Sequence, residues 1–264
     1  MSDRSMPAVL LVEDDPTNRL VALSMLSHLG IEADFAVNGQ EGVTAASCKK
    51  YSAILMDLQM PVMDGMEAMR TIRQMIPGPS CPRIVAVTAH AVAGTREALL
   101  AAGFDAVYNK PISITMMTEA VYGATEKDAS PPDDSAEPHM IITPRTEDDD
   151  QAAKKTLRDA VRAHVRALLG EEDEDFVTDL VTTFSESSRG AVEEATQARD
   201  SDDVVGIAIA AHKLKGSASN VGLNQLATTW GAIEATIRAD GTIENQPLES
   251  ALNETHQALA SLAG

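Results

Sequence analysis

Three acids, Glu13, Asp14 and Asp15, directly follow the apolar run Ala8–Val12, and a fourth, Asp57, directly follows the run Ala53–Met56. Clustered carboxylates repel one another unless a cation joins them, and hard oxygen ligands with open water positions suit Mg2+. Thr88 ends the stretch that starts at Ile84, and Lys110 follows the run Ala106–Tyr108. Carboxylates, a hydroxyl and an ammonium that meet at strand ends fit formation of an aspartyl phosphate. A carboxylate can act as nucleophile toward a phosphoryl group, while Mg2+ and Lys110 offset the charge on its oxygens and Thr88 donates to one of them. A second chemical signal lies far along the chain, in AHKLKGSA (Ala211–Ala218). On a helix, Lys215 falls at i+3 from His212 and Gly216 at i+4, so a cation and a residue without a side chain flank the imidazole. Neutral imidazole is a nucleophile near pH 7, and Lys215 and Lys213 would offset the charge of a phosphoryl group on its nitrogen. A mid-helix glycine costs about 1 kcal/mol relative to alanine, so Gly216 calls for a surface that approaches it closely.

The elements that must position these residues differ between the two ends of the chain. Over residues 7–125, short continuous apolar runs (Ala8–Val12, Ala53–Met56, Ile84–Val87, and weaker ones near Ala33–Val37 and Ala106–Tyr108) alternate with helical stretches. Such runs suit strands buried on both faces, and the alternation predicts an α/β domain with a doubly wound, five-stranded parallel sheet. In that topology strands 1 and 3 are neighbours at the switch point, so Asp14 and Asp57 should meet at the carboxyl edge. Asp15 divides between that acid group and the cap of the following helix. Residues 126–153 carry Pro131, Pro132, Pro138 and Pro144 among many acids and read as a solvated linker, with Met140–Ile142 as a short apolar patch. From Lys154 onward the pattern is helical throughout: Leu157, Val161, Val165 and Leu168, then Phe176, Leu180, Val181 and Phe184, then Ile233 and Ile237. This predicts an all-α bundle of four or five helices over residues 154–264, with Leu214 and Ile207 turned to its core.

Composition narrows the classes of function. The 264 residues carry a net charge of −19, 44% hydrophobic residues and only 3% aromatics. That charge argues against a general nucleic-acid binder, which needs a basic face. Cys48 and Cys81 form no zinc-type spacing and suit a reducing cytosol. The N-terminal apolar run is too short for a signal peptide or a membrane span, so no membrane insertion is expected. Neither half has a Gly-rich P-loop or a kinase-type nucleotide motif, so no ATP-dependent kinase activity is expected.

The first domain resembles a response-regulator receiver domain, of flavodoxin-like fold, over residues 1–125. VLLVEDDPTNR is similar to the acidic-pocket motif, ILMDLQMPVMDG to the phosphoacceptor strand and loop, and VTAHA and NKPI to the hydroxyl and lysine motifs. The resemblance implies that Glu13 and Asp14 hold Mg2+, that Asp57 is both ligand and phosphoacceptor, that the Gln59 carbonyl is a further ligand, and that the Lys110–Pro111 peptide is cis. Receivers usually carry a switch aromatic three residues before the lysine; here that position is Val107, and Tyr108 follows on the alternate face of the strand. The region 156–264 resembles a histidine-containing phosphotransfer (Hpt) domain through FVTDLVTTF, AHKLKGSASNVG and LATTWGAIEATIR. By that resemblance His212 is the phosphorylated histidine and Lys215 and Gly216 form its environment, with Trp230 a packing residue.

Together the resemblances imply a cytoplasmic, bacterial phosphorelay intermediate. Its partners would be an upstream histidine kinase or hybrid kinase and a downstream response-regulator receiver. A flexible linker of this length spans about 25–35 Å root-mean-square, so docking of the receiver on the Hpt domain within one chain is allowed. A phosphate sink that drains another regulator, and a phosphorylation-controlled partner-binding switch, are the alternatives.

Overall fold

A computed structural model of the chain describes residues 7–88, 94–123, 149–170 and 173–262. Strand β1 (Val9–Val12) leads through the aspartate loop to α1 (Pro16–His28), followed by β2 (Ala33–Ala36), α2 (Gly39–Cys48), β3 (Ala53–Asp57), α3 (Gly65–Met75), β4 (Arg83–Thr88), α4 (Thr95–Ala102), β5 (Ala106–Asn109) and α5 (Ile114–Tyr122). The strands form one five-stranded parallel sheet in the order β2-β1-β3-β4-β5. Every pairing is parallel, so helices cover both faces, and β1 and β3 are buried along their whole length. β2 lies at the sheet edge with Phe35 exposed, which explains its weaker apolar signal.

The register delivers the chemistry. β1 pairs with β3 as Val12 opposite Met56, so the acids that follow each strand emerge side by side. On the other side of β3, Asp57 lies opposite Val87, with Thr88 the next residue; Thr88 in turn lies opposite Asn109, with Lys110 next. The carboxyl edge therefore gathers residues that are far apart in sequence. The Lys110–Pro111 peptide is cis. Val107 is fully buried, while Tyr108 is half-buried and its hydroxyl donates to Glu119 Oε2 at 3.3 Å.

Five further helices follow among the described residues: α6 (Asp149–Leu169), α7 (Glu174–Asp200), α8 (Val204–Asn220), α9 (Asn224–Asp240) and α10 (Asn245–Leu262). α6 starts at Asp149, inside the segment expected as linker; the rest of that segment, with Met140–Ile142, lies outside the described residues. α8 starts where Asp203 caps it by accepting the Gly206 N–H at 3.0 Å. Its core face is Ile207, Ala210, Ala211, Leu214 and Ala218, at the spacing of one helical stripe. Trp230 on α9 is completely buried, and its Nε1 donates to Thr255 Oγ1 of α10 at 2.9 Å. α1 packs against α7 and α8 as well as against the sheet, and the core under α1 and α5 is continuous with the bundle core.

Candidate functional site

The acid group is built by the two loops that leave β1 and β3. One carboxylate oxygen each from Glu13, Asp14 and Asp57 lie within 4.8 Å of one another. Lys110 Nζ enters from the loop after β5 and donates to Asp57 Oδ2 at 2.6 Å and to Glu13 Oε2 at 2.7 Å. Asp57 Oδ1 accepts the Leu58 N–H at 2.6 Å and, more weakly, that of Gln59 at 3.3 Å. Asn18 Nδ2 holds the other oxygen of Glu13 at 2.9 Å. Arg19 Nη1 ties the loop from outside by donating to the carbonyls of Glu13 (2.9 Å) and Asp14 (3.2 Å). Thr88 is buried at the end of β4, its carbonyl accepts the Lys110 N–H at 2.8 Å, and it is not part of the cavity wall described below.

Electrostatics define what this group lacks. Burial, then the nearby Asp57 charge, push Glu13 up to about 8 even though Lys110 opposes the shift. Burial and the Asp57 and Asp15 charges push Asp14 up to about 6. Burial alone would lower the Lys110 ammonium, but the Asp57 and Glu13 carboxylates reverse that and hold it above the ordinary lysine range. Lys110 thus pairs with two of three close carboxylates, Glu13 and Asp57, and the acid group with its hard oxygen donors fits a divalent cation such as Mg2+.

The histidine is built on the bundle. The His212 side chain is 12% exposed, and its Nδ1 lies 3.0 Å from Glu234 Oε1 on α9. Lys215 Nζ lies 3.5 Å from Glu234 Oε2, and Arg238 donates to Glu234 Oε1 at 2.9 Å. Lys213 Nζ pairs with Glu194 at 3.0 Å. In the tautomer with its proton on Nδ1, the imidazole donates to Glu234.

These two groups face a common space. A cavity of about 370 Å³ is walled by Asp14, Asp57, Gln59 and Lys110 on one side and by His212, Lys213 and Gly216 on the other. Polar contacts border it, beside the apolar core that runs from α1 into the bundle. Asp15 Oδ1 caps α1 by accepting the Asn18 N–H at 2.8 Å, whereas its Oδ2 accepts from Ser187 Oγ (2.9 Å) and Ser217 Oγ (2.8 Å). Asn220 Nδ2 donates to Asn18 Oδ1 at 2.8 Å. A Cβ on Gly216 would lie 3.4 Å from Asn18 Nδ2, which supplies the close approach expected there.

A receiver-domain family model, "Response regulator receiver domain", matches residues 9–122, and an Hpt-domain model matches residues 179–262. The chain is a receiver domain joined to an Hpt domain. The sensor protein GacS of Pseudomonas syringae pv. syringae is 29% identical over 260 residues, which are 97% of this chain and 27% of that protein. The aerobic respiration control sensor protein ArcB of Escherichia coli is 30% identical over 228 residues, 85% of this chain and 27% of that protein. The receiver–Hpt chain therefore spans about a quarter of the length of these curated relatives. Among solved structures, the receiver domain of sensor histidine kinase PA1611 from Pseudomonas aeruginosa aligns at 36% identity with a TM-score of 0.40, over 44% of this chain and 95% of that one.

In the receiver half, Glu13, Asp14, Asp57 and Lys110 come together and Gln59 lines the same cavity, whereas Asp15 turns one oxygen to Ser187 and Ser217 and Thr88 lies outside the cavity wall. In the Hpt half, Lys215 does not wall the cavity; it lies beside Glu234, and Lys213 is the lysine that faces the receiver. Several participants escaped sequence reading, among them Glu234 and Gly65. Glu234 is an acid on the apolar stripe of α9, next to Ile233 and one turn after Trp230, and that misplaced charge was the available signal. Gly65 opens α3: a Cβ there would come within 2.0 Å of the Asp57 carbonyl, so only glycine lets α3 start against the β3 loop.

Proposed function

We propose that the chain is a phosphorelay intermediate in two-component signal transduction that exchanges a phosphoryl group between Asp57 and His212. The observation that carries this proposal is the shared cavity, whose wall includes both Asp57 and His212. An upstream histidine kinase or hybrid kinase is the phosphodonor and a second receiver the final acceptor. Residues 1–125 act as the receiver, 126–153 as the linker and 154–264 as the Hpt domain, in a bacterial cytoplasm. Among the described residues no helix is long and apolar enough to cross a membrane.

An Asp57 oxygen attacks the phosphorus of the donor, and the donor's leaving group departs with its bonding pair. The Lys110 ammonium, 2.6 Å from Asp57, and the Thr88 hydroxyl then stabilise the oxygens of the acyl phosphate. Mg2+ held by Glu13, Asp14, Asp57 and the Gln59 carbonyl would add charge neutralisation for those oxygens. For the second transfer, His212 donates its Nδ1–H to Glu234, which leaves the Nε2 lone pair to attack phosphorus as the Asp57 carboxylate leaves. Glu234 balances the positive charge that develops on the ring, and Lys213 faces the transferred group from the cavity wall. The reverse sequence uses the same groups.

Incubation with Mg2+ and acetyl phosphate, followed by mass-spectrometric mapping in wild type and Asp57→Ala, tests the exchange. Phosphate on His212 in wild type and its absence in the variant is the expected result. Phosphate confined to Asp57 would refute transfer within the chain.

A further inference from the structure

The two oxygens of Asp15 are divided between two tasks. Oδ1 is the helix cap, and Oδ2 takes both serine hydroxyls of the Hpt domain, one from α7 and one from α8. One helical turn on, Asn18 is divided in the same way: its Nδ2 holds Glu13 of the acid group, and its Oδ1 accepts from Asn220. Asp15, Asn18, Ser217 and Asn220 are all buried, at 6%, 6%, 1% and 6% exposure. A buried carboxylate or hydroxyl that loses its partner costs the full desolvation of that group. The contact therefore discriminates: an apolar residue at position 15 would strand Ser187 and Ser217, and one at position 18 would strand Asn220. Gly216 leaves room for that approach: a Cβ there would already touch Asn18 Nδ2 at 3.4 Å, and a longer side chain would have to displace it.

We infer that Asp15 and Asn18 are specificity-determining residues, through which the His212 face of the Hpt domain recognises a receiver. The partner chemistry is a receiver with a carboxylate directly after its two pocket acids and a carboxamide three residues later. The inference rests on the proposed exchange between Asp57 and His212. Asp15 and Asn18 line the cavity, whereas Ser187, Ser217 and Asn220 do not, so the serine pair probes recognition apart from the acid group.

The test uses the full chain and three variants: Asp15→Ser, which keeps a helix-capping oxygen but not the second acceptor; Ser187→Ala with Ser217→Ala; and all three substitutions together. Two quantities are read, the ratio of phosphohistidine to phosphoaspartate after acetyl phosphate, and the radius of gyration by small-angle scattering. Loss of hydrogen bonds to a charged acceptor predicts a ratio about tenfold lower in each of the first two variants. The triple variant should lose little more, because both sides remove one shared contact. The radius of gyration should rise in all three. Wild-type ratio and radius in the variants, or losses that multiply in the triple variant, would overturn the inference. If wild type forms no phosphohistidine, the exchange proposal fails by itself. Scattering then decides alone: expansion of the variants supports recognition by Asp15, and equal radii overturn it.

Discussion

Glu234 Oε1 lies 3.0 Å from His212 Nδ1, although 22 residues and a helix–helix turn separate them. The carboxylate is almost fully buried and serves His212, Lys215 and Arg238 at once. It orients the ring through Nδ1, and in the proposed transfer it accepts the Nδ1 proton. Glu234→Ala should slow phosphohistidine formation about tenfold, the loss expected for one charge-assisted hydrogen bond. Glu234→Gln keeps a carbonyl acceptor for Nδ1–H and should lose much less. Rapid-quench sampling of the phosphorylated forms measures both.

The raised carboxyls make metal-free stability fall with pH. Glu13 binds its proton up to about pH 8 in the folded chain against 4.5 for the free side chain, and Asp14 up to about 6 against 3.8. At these two groups the folded state thus holds more protons than the unfolded state, and their contribution to stability decreases as pH rises through this window; His164, lowered by burial, acts in the opposite sense. Mg2+ replaces those protons, so it should raise the melting temperature more at pH 8 than at pH 6. Calorimetric melts with EDTA and with Mg2+ at the two pH values check the sign.

Gly216 separates folding from docking. Gly216→Ala places a Cβ at 3.4 Å from Asn18 Nδ2, a contact that a small shift relieves, and it gains about 1 kcal/mol of helix propensity. Gly216→Leu has no such relief. The alanine variant should melt at or above the wild-type temperature and still form phosphohistidine. The leucine variant should retain its helical circular dichroism and lose phosphohistidine formed from Asp57.

Arg19 organises the acid loop without entering it. Its guanidinium donates to the carbonyls of Glu13 and Asp14 and lies 5.3 Å above the centre of the Phe35 ring. A lysine cannot reproduce a planar fork that also stacks on an aromatic face. Arg19→Lys should weaken Mg2+ binding about fivefold, in line with one lost hydrogen bond, as titration calorimetry would measure.

The sheet and its reactive edge were legible in the sequence because they rest on local signals. Short apolar runs end in acids, a threonine and a lysine, and a parallel sheet brings strand ends together whatever the loops between them do. The partial burial of β2 follows from its edge position, which no local pattern encodes. Contacts between helices were the harder part. Glu234 meets His212 only through the packing of α9 on α8, and the second oxygen of Asp15 finds Ser187 and Ser217 about two hundred residues away. A polar residue in an apolar stripe marks that something is paired; it does not name the partner.

The burial of Trp230 gives the molecule two separate optical channels. It is the chain's one tryptophan and lies in the Hpt core, whereas the three tyrosines, Tyr51, Tyr108 and Tyr122, all belong to the receiver. Emission excited selectively at tryptophan follows the bundle alone, so unfolding of the two halves can be timed independently in one unlabelled sample. Excitation of the tyrosines reaches that same indole only by energy transfer across the interface. The native protein is thereby its own ruler: separation of receiver from Hpt domain dims the sensitised emission while leaving direct emission unchanged.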